Sequence, residues 1–153
     1  MSTGGIKPKI DADLKTALLS GDKPAATLLR SLKGAILEEE IAKNARDSGL
    51  PDEEAEKIIA REIKKRRESI EIYENNSRPD LAESEKREVE LLEGYLPEQL
   101  SESEIIEIIE TKKSELGVSE PKDMGRLIGA VKSVVGNSAD GALVAKLVKE
   151  NLG

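Results

Sequence analysis

The chain has 153 residues, 31 acidic and 24 basic side chains, a formal net charge of −7, and no Cys, His, Phe or Trp. That length accommodates one domain or two small ones and excludes a large enzyme. Without Cys or His there are no disulfides, thiol nucleophiles, thiolate metal sites or imidazole bases, so any chemistry would rest on carboxylates, Lys, Ser or Tyr. The core must be aliphatic, and 36 % charged residues favour helices with solvated outer faces over β-sandwiches. No segment has the apolar length of a membrane span, and the opening "MSTGGIKPKID" lacks the apolar run of a secretory signal, so the expectation is a soluble cytoplasmic protein.

Helix punctuation is dense. Ile10, Leu14, Ala17 and Leu18 recur at helical spacing and stop at Ser20 and Gly21. Asp22 and Pro24 then open a long second helix that should bury Leu28, Leu29, Leu32, Ile36 and Ala42. "DSGLPDEE" breaks it, with Gly49 placed to end one helix and Pro51 to open the next among carboxylates that suit a helix N-terminus. The third helix runs to about Asn75, "NNSRPD" is a turn, and a fourth helix carries Leu81, Val89, Leu92 and Leu96 as far as Pro97. Ser101 with Glu104 forms a capping box for a fifth helix holding Ile105, Ile109 and Leu116, which Gly117 ends. "SEPKD" starts a sixth helix that ends at Gly136, and Asp140 caps a seventh with Leu143, Val144, Leu147 and Leu152. The expected fold is all-α, with about four helices over residues 1–97 and a compact three-helix tail over residues 98–153.

Glycine inside the sixth helix is the main anomaly, since it costs roughly 1 kcal/mol against alanine. With Pro121 to Val135 helical, Leu127, Ile128, Val131, Val134 and Val135 fall on one side, while Gly125, Gly129, Lys132 and Gly136 share a stripe well away from it, flanked by Lys122 and Arg126. Small residues with cations suit a phosphate-lined ligand approaching bare backbone. The competing explanation is packing, in which the stripe seats a neighbouring helix and the lysines reach outward. From Lys112 onward seven basic residues face five acidic ones, the least acidic part of the chain.

Two further clusters have plainer readings. "REIKKRRESIEIYE" places Lys64, Lys65, Arg66 and Arg67 on a helix whose glutamates can pair with them. Arg66 interrupts the seam of Ile59, Ile63, Ile70 and Tyr73, so it should either be paired with a carboxylate of a facing helix or mark where the seam opens into a groove; the favoured reading is a paired structural arginine, with Glu90 or Glu93 as partner. Glu38 to Glu40 reads as a solvated acidic face, and no nucleophile, base or phosphate-loop pattern completes a catalytic set. No cofactor or metal site is expected.

Three stretches, "LRSLKGAILEEE", "RRESIEIYENNSRPDLAESEKREVELLEGYLPEQLS" and "DMGRLIGAVKSVVGNSADGALVAKLVKENL", together resemble the GatB/YqeY family, and the middle one resembles its stand-alone YqeY-like branch. The last is similar to the tail domain of the B subunit of the glutamine-dependent Asp-tRNA/Glu-tRNA amidotransferase. The resemblance implies a helical region, a small helical tail and a link to tRNA, with the amidotransferase's catalytic portion absent and any carbon-nitrogen ligase label inherited without the chemistry. By position the family's glycine-and-basic motif falls on Gly125, Arg126, Gly129, Lys132, Gly136, Asp140 and Gly141. Arg126 stands where lysine is common, and Asn137 where many relatives have a basic residue. The expectation is a non-catalytic adaptor that binds the tRNA outer corner through Lys122, Gly125, Arg126, Gly129, Lys132, Gly136, Asn137 and Lys146. It would serve a tRNA-dependent amidotransferase or a glutaminyl-tRNA synthetase. The alternative is a protein-docking module for such an enzyme.

Overall fold

A computed structural model describes residues 5–153; the first four residues, which open the stretch read for targeting, lie outside it. Among the described residues there are seven α-helices and no strand: α1 (Ile6–Ser20), α2 (Lys23–Ala42), α3 (Asp52–Asn75), α4 (Pro79–Glu93), α5 (Glu102–Leu116), α6 (Met124–Val135) and α7 (Gly141–Leu152). Short 3₁₀ turns at Pro121–Asp123 and Gly136–Ser138 bracket α6. The chain divides into two compact units, one up to Leu96 and one over Pro97–Gly153.

In the first unit α1 and α2 form a hairpin, as do α3 and α4. Gly21 ends α1 in the left-handed conformation (φ 77°), and the Asp22 carboxylate accepts the Ala25 N–H to start α2. Asp52, in the first turn of α3, accepts the Ile6 N–H at 3.0 Å and so caps α1 from a distance. Ile10, Leu29, Leu32, Ile36, Ile59 and Leu92 fill the core, each worth roughly 2 kcal/mol when fully buried. Tyr95 closes it: its hydroxyl donates to Asp13, and the Lys9 ammonium lies 4.9 Å from the ring centre while donating to the Gly94 carbonyl. Burial, then the Asp13 carboxylate, push the tyrosine pKa up, so it stays a donor.

Four expectations need correction in this unit. Helix α2 stops at Ala42 rather than near Gly49, and Ala42 is exposed. Asn44 takes a positive φ (51°), and the Ala45 N–H returns to the Glu40 carbonyl at 2.7 Å, so the chain turns about two helical turns earlier than the Gly-Pro signal implied. Glu40, read as part of a solvated face, is only 2 % exposed. Its carboxylate accepts the Leu50 N–H (2.8 Å) and the Lys7 ammonium (2.7 Å), folding the turn over it. Those two donors hold its pKa below the usual carboxylate value, Lys7 first. Leu18, placed on the apolar stripe of α1, is 51 % exposed. Helix α4 ends at Glu93, because Gly94 and Tyr95 turn the chain into the core before Pro97 is reached.

The tail unit has its own core of Ile105, Ile109, Leu127, Val131, Val144 and Val148. The capping box is present: Ser101 Oγ accepts the Glu104 N–H and the Glu104 carboxylate accepts the Ser101 N–H. Gly117 (φ 66°) ends α5, and the Asp140 carboxylate accepts the Ala142 N–H at the start of α7.

Candidate nucleic-acid interface on the tail

Helix α6 buries Leu127, Val131 and Val135, which fixes the face turned away from the core. Gly125, Arg126, Gly129, Lys132 and Ser133 are all exposed there. A Cβ at Gly125 or Gly129 would meet open space, so no other helix among the described residues is seated on them. Val134, grouped with the apolar side from its spacing, is 53 % exposed, because it sits at the rim of the buried face in the last turn.

Arg126 and Lys132 are three residues before and after Gly129, about 60° to either side of it and roughly 9 Å apart along the axis. Between them lies a strip of uncovered backbone. Neither cation has a carboxylate within ion-pair distance among the described residues, whereas Lys122, in the turn before α6, pairs with Glu120 at 3.1 Å. Lys132 extends over the start of α7, where a Cβ on Gly141 would lie 3.2 Å from its Cε. Ser133, which the sequence reading left unassigned, lies at the C-terminal end of the strip and donates to the Gly129 carbonyl at 3.0 Å; its place four residues after Gly129 was the available signal.

The remaining candidates do other things. Gly136 has φ 53° and ψ −130°, a conformation that side-chain-bearing residues rarely adopt, so the backbone itself requires glycine there. Asn137 is half-buried, and its carbonyl accepts Gln99 Nε2 at 2.9 Å, tying the turn after α6 to the start of the tail. Lys146 is exposed on α7, about 140° round that helix from Gly141, and no contact gathers it with the α6 cations.

Arg66 is paired across α3 and α4, but with Glu88 (3.0 Å) and, along its own helix, Glu62 (2.9 Å) rather than Glu90 or Glu93. Glu90 follows the buried Val89 and points outward, while Glu93 pairs with Arg67 at 3.3 Å. Two residues of the basic run, Arg66 and Arg67, are thereby tied to α4, while Lys65 pairs with Glu62 of its own helix.

A family model described as Yqey-like protein matches residues 7–152. The chain is similar to proteins named "Altered inheritance of mitochondria protein 41, mitochondrial". It is 33 % identical to the one from Pyrenophora tritici-repentis over 97 % of this chain and 81 % of that protein. For the one from Clavispora lusitaniae the figures are 29 %, 84 % and 72 %. For the one from Eremothecium gossypii they are 36 %, 55 % and 45 %, so the match spans less than half of that protein. These names overturn the cytoplasmic expectation, which rested on a missing secretory-type apolar run; such a run says nothing about import into an organelle. With the family match spanning nearly the whole helical chain, this protein belongs to the YqeY-like family.

Proposed function

We propose that the tail unit is a non-catalytic module for structured RNA, with tRNA as the ligand class, and that the chain acts as an adaptor to a tRNA-dependent amidotransferase or glutaminyl-tRNA synthetase. One observation carries the reading: two helical glycines face open space beside two cations that have no carboxylate partner among the described residues. In water such glycines weaken the helix and the cations gain nothing from the fold. A ligand with closely spaced phosphates uses both, because small residues let its backbone approach and Arg126 and Lys132 displace its counterions. Folded RNA can be read by shape through backbone contacts, without the stacking aromatics that single-strand binders need. The motif resemblance to the amidotransferase tail supports the same face. The relatives' names direct the search for the ligand to mitochondrial tRNAs.

The test is a titration of the whole chain against bulk tRNA and an unstructured RNA of equal length, at two salt concentrations. Binding should favour tRNA, weaken as salt rises, and fall sharply in Arg126→Glu/Lys132→Glu, with the salt slope of what remains reduced by at least about two. Affinity unchanged in the double mutant would remove the assignment. Absence of binding at low salt would leave the face to a protein partner.

A further inference from the structure

The α1–α2 hairpin has an outward face that extends beyond its core residues. Ion pairs Lys7–Glu40 (2.7 Å) and Lys33–Asp11 (2.6 Å) set the antiparallel register of the two helices. Beside them opens a groove of about 220 Å³ whose lining includes Ile10, Gly34, Ile36 and Leu37. Gly34 stands in the middle of α2, where glycine is a poor helix former, and a Cβ there would meet open space. Leu37 (39 % exposed) and Ile41 (58 % exposed) continue this face towards the end of α2. The exposed Leu18 shares the side of α1 that carries Lys7 and Asp11, two turns beyond Asp11.

We propose that this face is a self-complementary dimer interface, in which α2 crosses α2 of a second copy antiparallel about Gly34. Twofold symmetry sets each residue before Gly34 against the residue equally far after it on the other copy. Arg30 and Glu38 are each four positions from Gly34, about 40° to either side of it round the helix. Both are exposed, and neither is in an ion pair among the described residues. Crossing at Gly34 therefore sets each copy's Arg30 against the other's Glu38, two pairs per interface. Thr27 and Ser31 come to oppose Ile41 and Leu37. The hairpin register puts Leu18 level with about residue 26, so it reaches the end where the other copy's Ile41 lies. An unrelated partner would give no reason for opposite charges to be disposed symmetrically about the glycine. Glycine at the crossing lets the axes approach to the short end of the usual 8–10 Å range.

The measurement is sedimentation velocity of the full chain over a wide concentration range. A crossing of one helix on another is a smaller contact than a standard interface, so a reversible dimer with a roughly micromolar dissociation constant is expected. Arg30→Glu and Glu38→Arg should each raise that constant about tenfold or more, since each sets like charges together twice. The swap Arg30→Glu/Glu38→Arg should bring it back to within about threefold of the parent. Gly34→Leu should leave a helical monomer by circular dichroism, because its side chain would enter open space in the monomer and the crossing point in the dimer. A chain that stays monomeric up to about 1 mM, or a dimer whose single reversals have no effect or whose swap recovers nothing, overturns the proposal.

Discussion

At the scale of single residues, the glycines of the tail separate into two physical kinds that look alike as letters. Gly125 and Gly129 are helical with open space above them, whereas Gly136 holds a backbone conformation closed to other residues. Alanine at 125 or 129 should therefore stabilise the fold by about 0.5–1 kcal/mol each, by limiting the unfolded chain, and Gly136→Ala should destabilise it by at least about 1 kcal/mol. Urea unfolding measures both; a loss of stability in Gly129→Ala would mean that something packs on the strip. If the strip admits an RNA backbone, the same Gly129→Ala variant binds tRNA more weakly while melting higher, a split that a packing defect cannot produce. Glu40 is the second informative residue. Removing its carboxylate in Glu40→Leu orphans the buried Leu50 N–H and should cost about 2 kcal/mol. Because the folded-state pKa lies below the unfolded value near 4.5, its contribution is complete above that pH. It is lost as pH falls through the lower folded value. Glu40→Gln keeps an acceptor for Leu50 but should flatten this part of the acid-unfolding profile, and an unchanged profile would show that other carboxylates govern it.

At the scale of elements, punctuation was legible wherever one residue type has one physical use. The Ser101–Glu104 capping box, Gly21 and Gly117 as left-handed caps, and Asp22 and Asp140 as N-caps are all present. Misreadings arose where tertiary contacts override local signals. Helix α2 ends early because Glu40 captures Leu50, a contact ten residues long that no 3.6-residue period reveals. The Arg66 partner was missed because a seam on α3 does not tell which glutamate of α4 faces it: Glu88 does, while Glu90 turns outward and Glu93 pairs with Arg67. On α6 the spacing separated the glycine side from the core but could not show that the glycine side stays uncovered, nor that Lys146 lies apart. The α3–α4 hairpin offers a direct test of what its ion pairs contribute. Arg66 is mostly buried and bound on two sides, while Arg67 and Glu93 are well exposed. A double-mutant cycle between Arg66 and Glu88 should give a coupling of about 1 kcal/mol, and one between Arg67 and Glu93 less than about 0.5 kcal/mol. Equal couplings would mean that exposure does not set the strength of these pairs.

For the whole molecule, the proposed function would have an acidic chain hold a polyanion. The tail itself, Pro97 to Gly153, carries ten acidic and seven basic residues, so its net charge repels RNA. The distribution is uneven, however. Five of those acidic residues precede Lys112, where there is no base, and four of them belong to α5; all seven bases follow. A phosphate field would steer such a polarised unit so that α5 turns away and α6 turns towards the ligand, and the residual repulsion would keep affinity modest and strongly salt-dependent. Because the tail also has its own core, separate from that of the first unit, recognition and stability should both survive cutting the chain before Pro97. A fragment of residues 97–153 should be helical and unfold cooperatively at a lower temperature than the parent, as small domains do. It should hold tRNA within about threefold of the parent's affinity and with the same salt slope. A folded fragment that had lost binding would place part of the recognition surface in the first unit. One whose slope had risen would show that the first unit's charges had been opposing the approach of RNA in the whole chain.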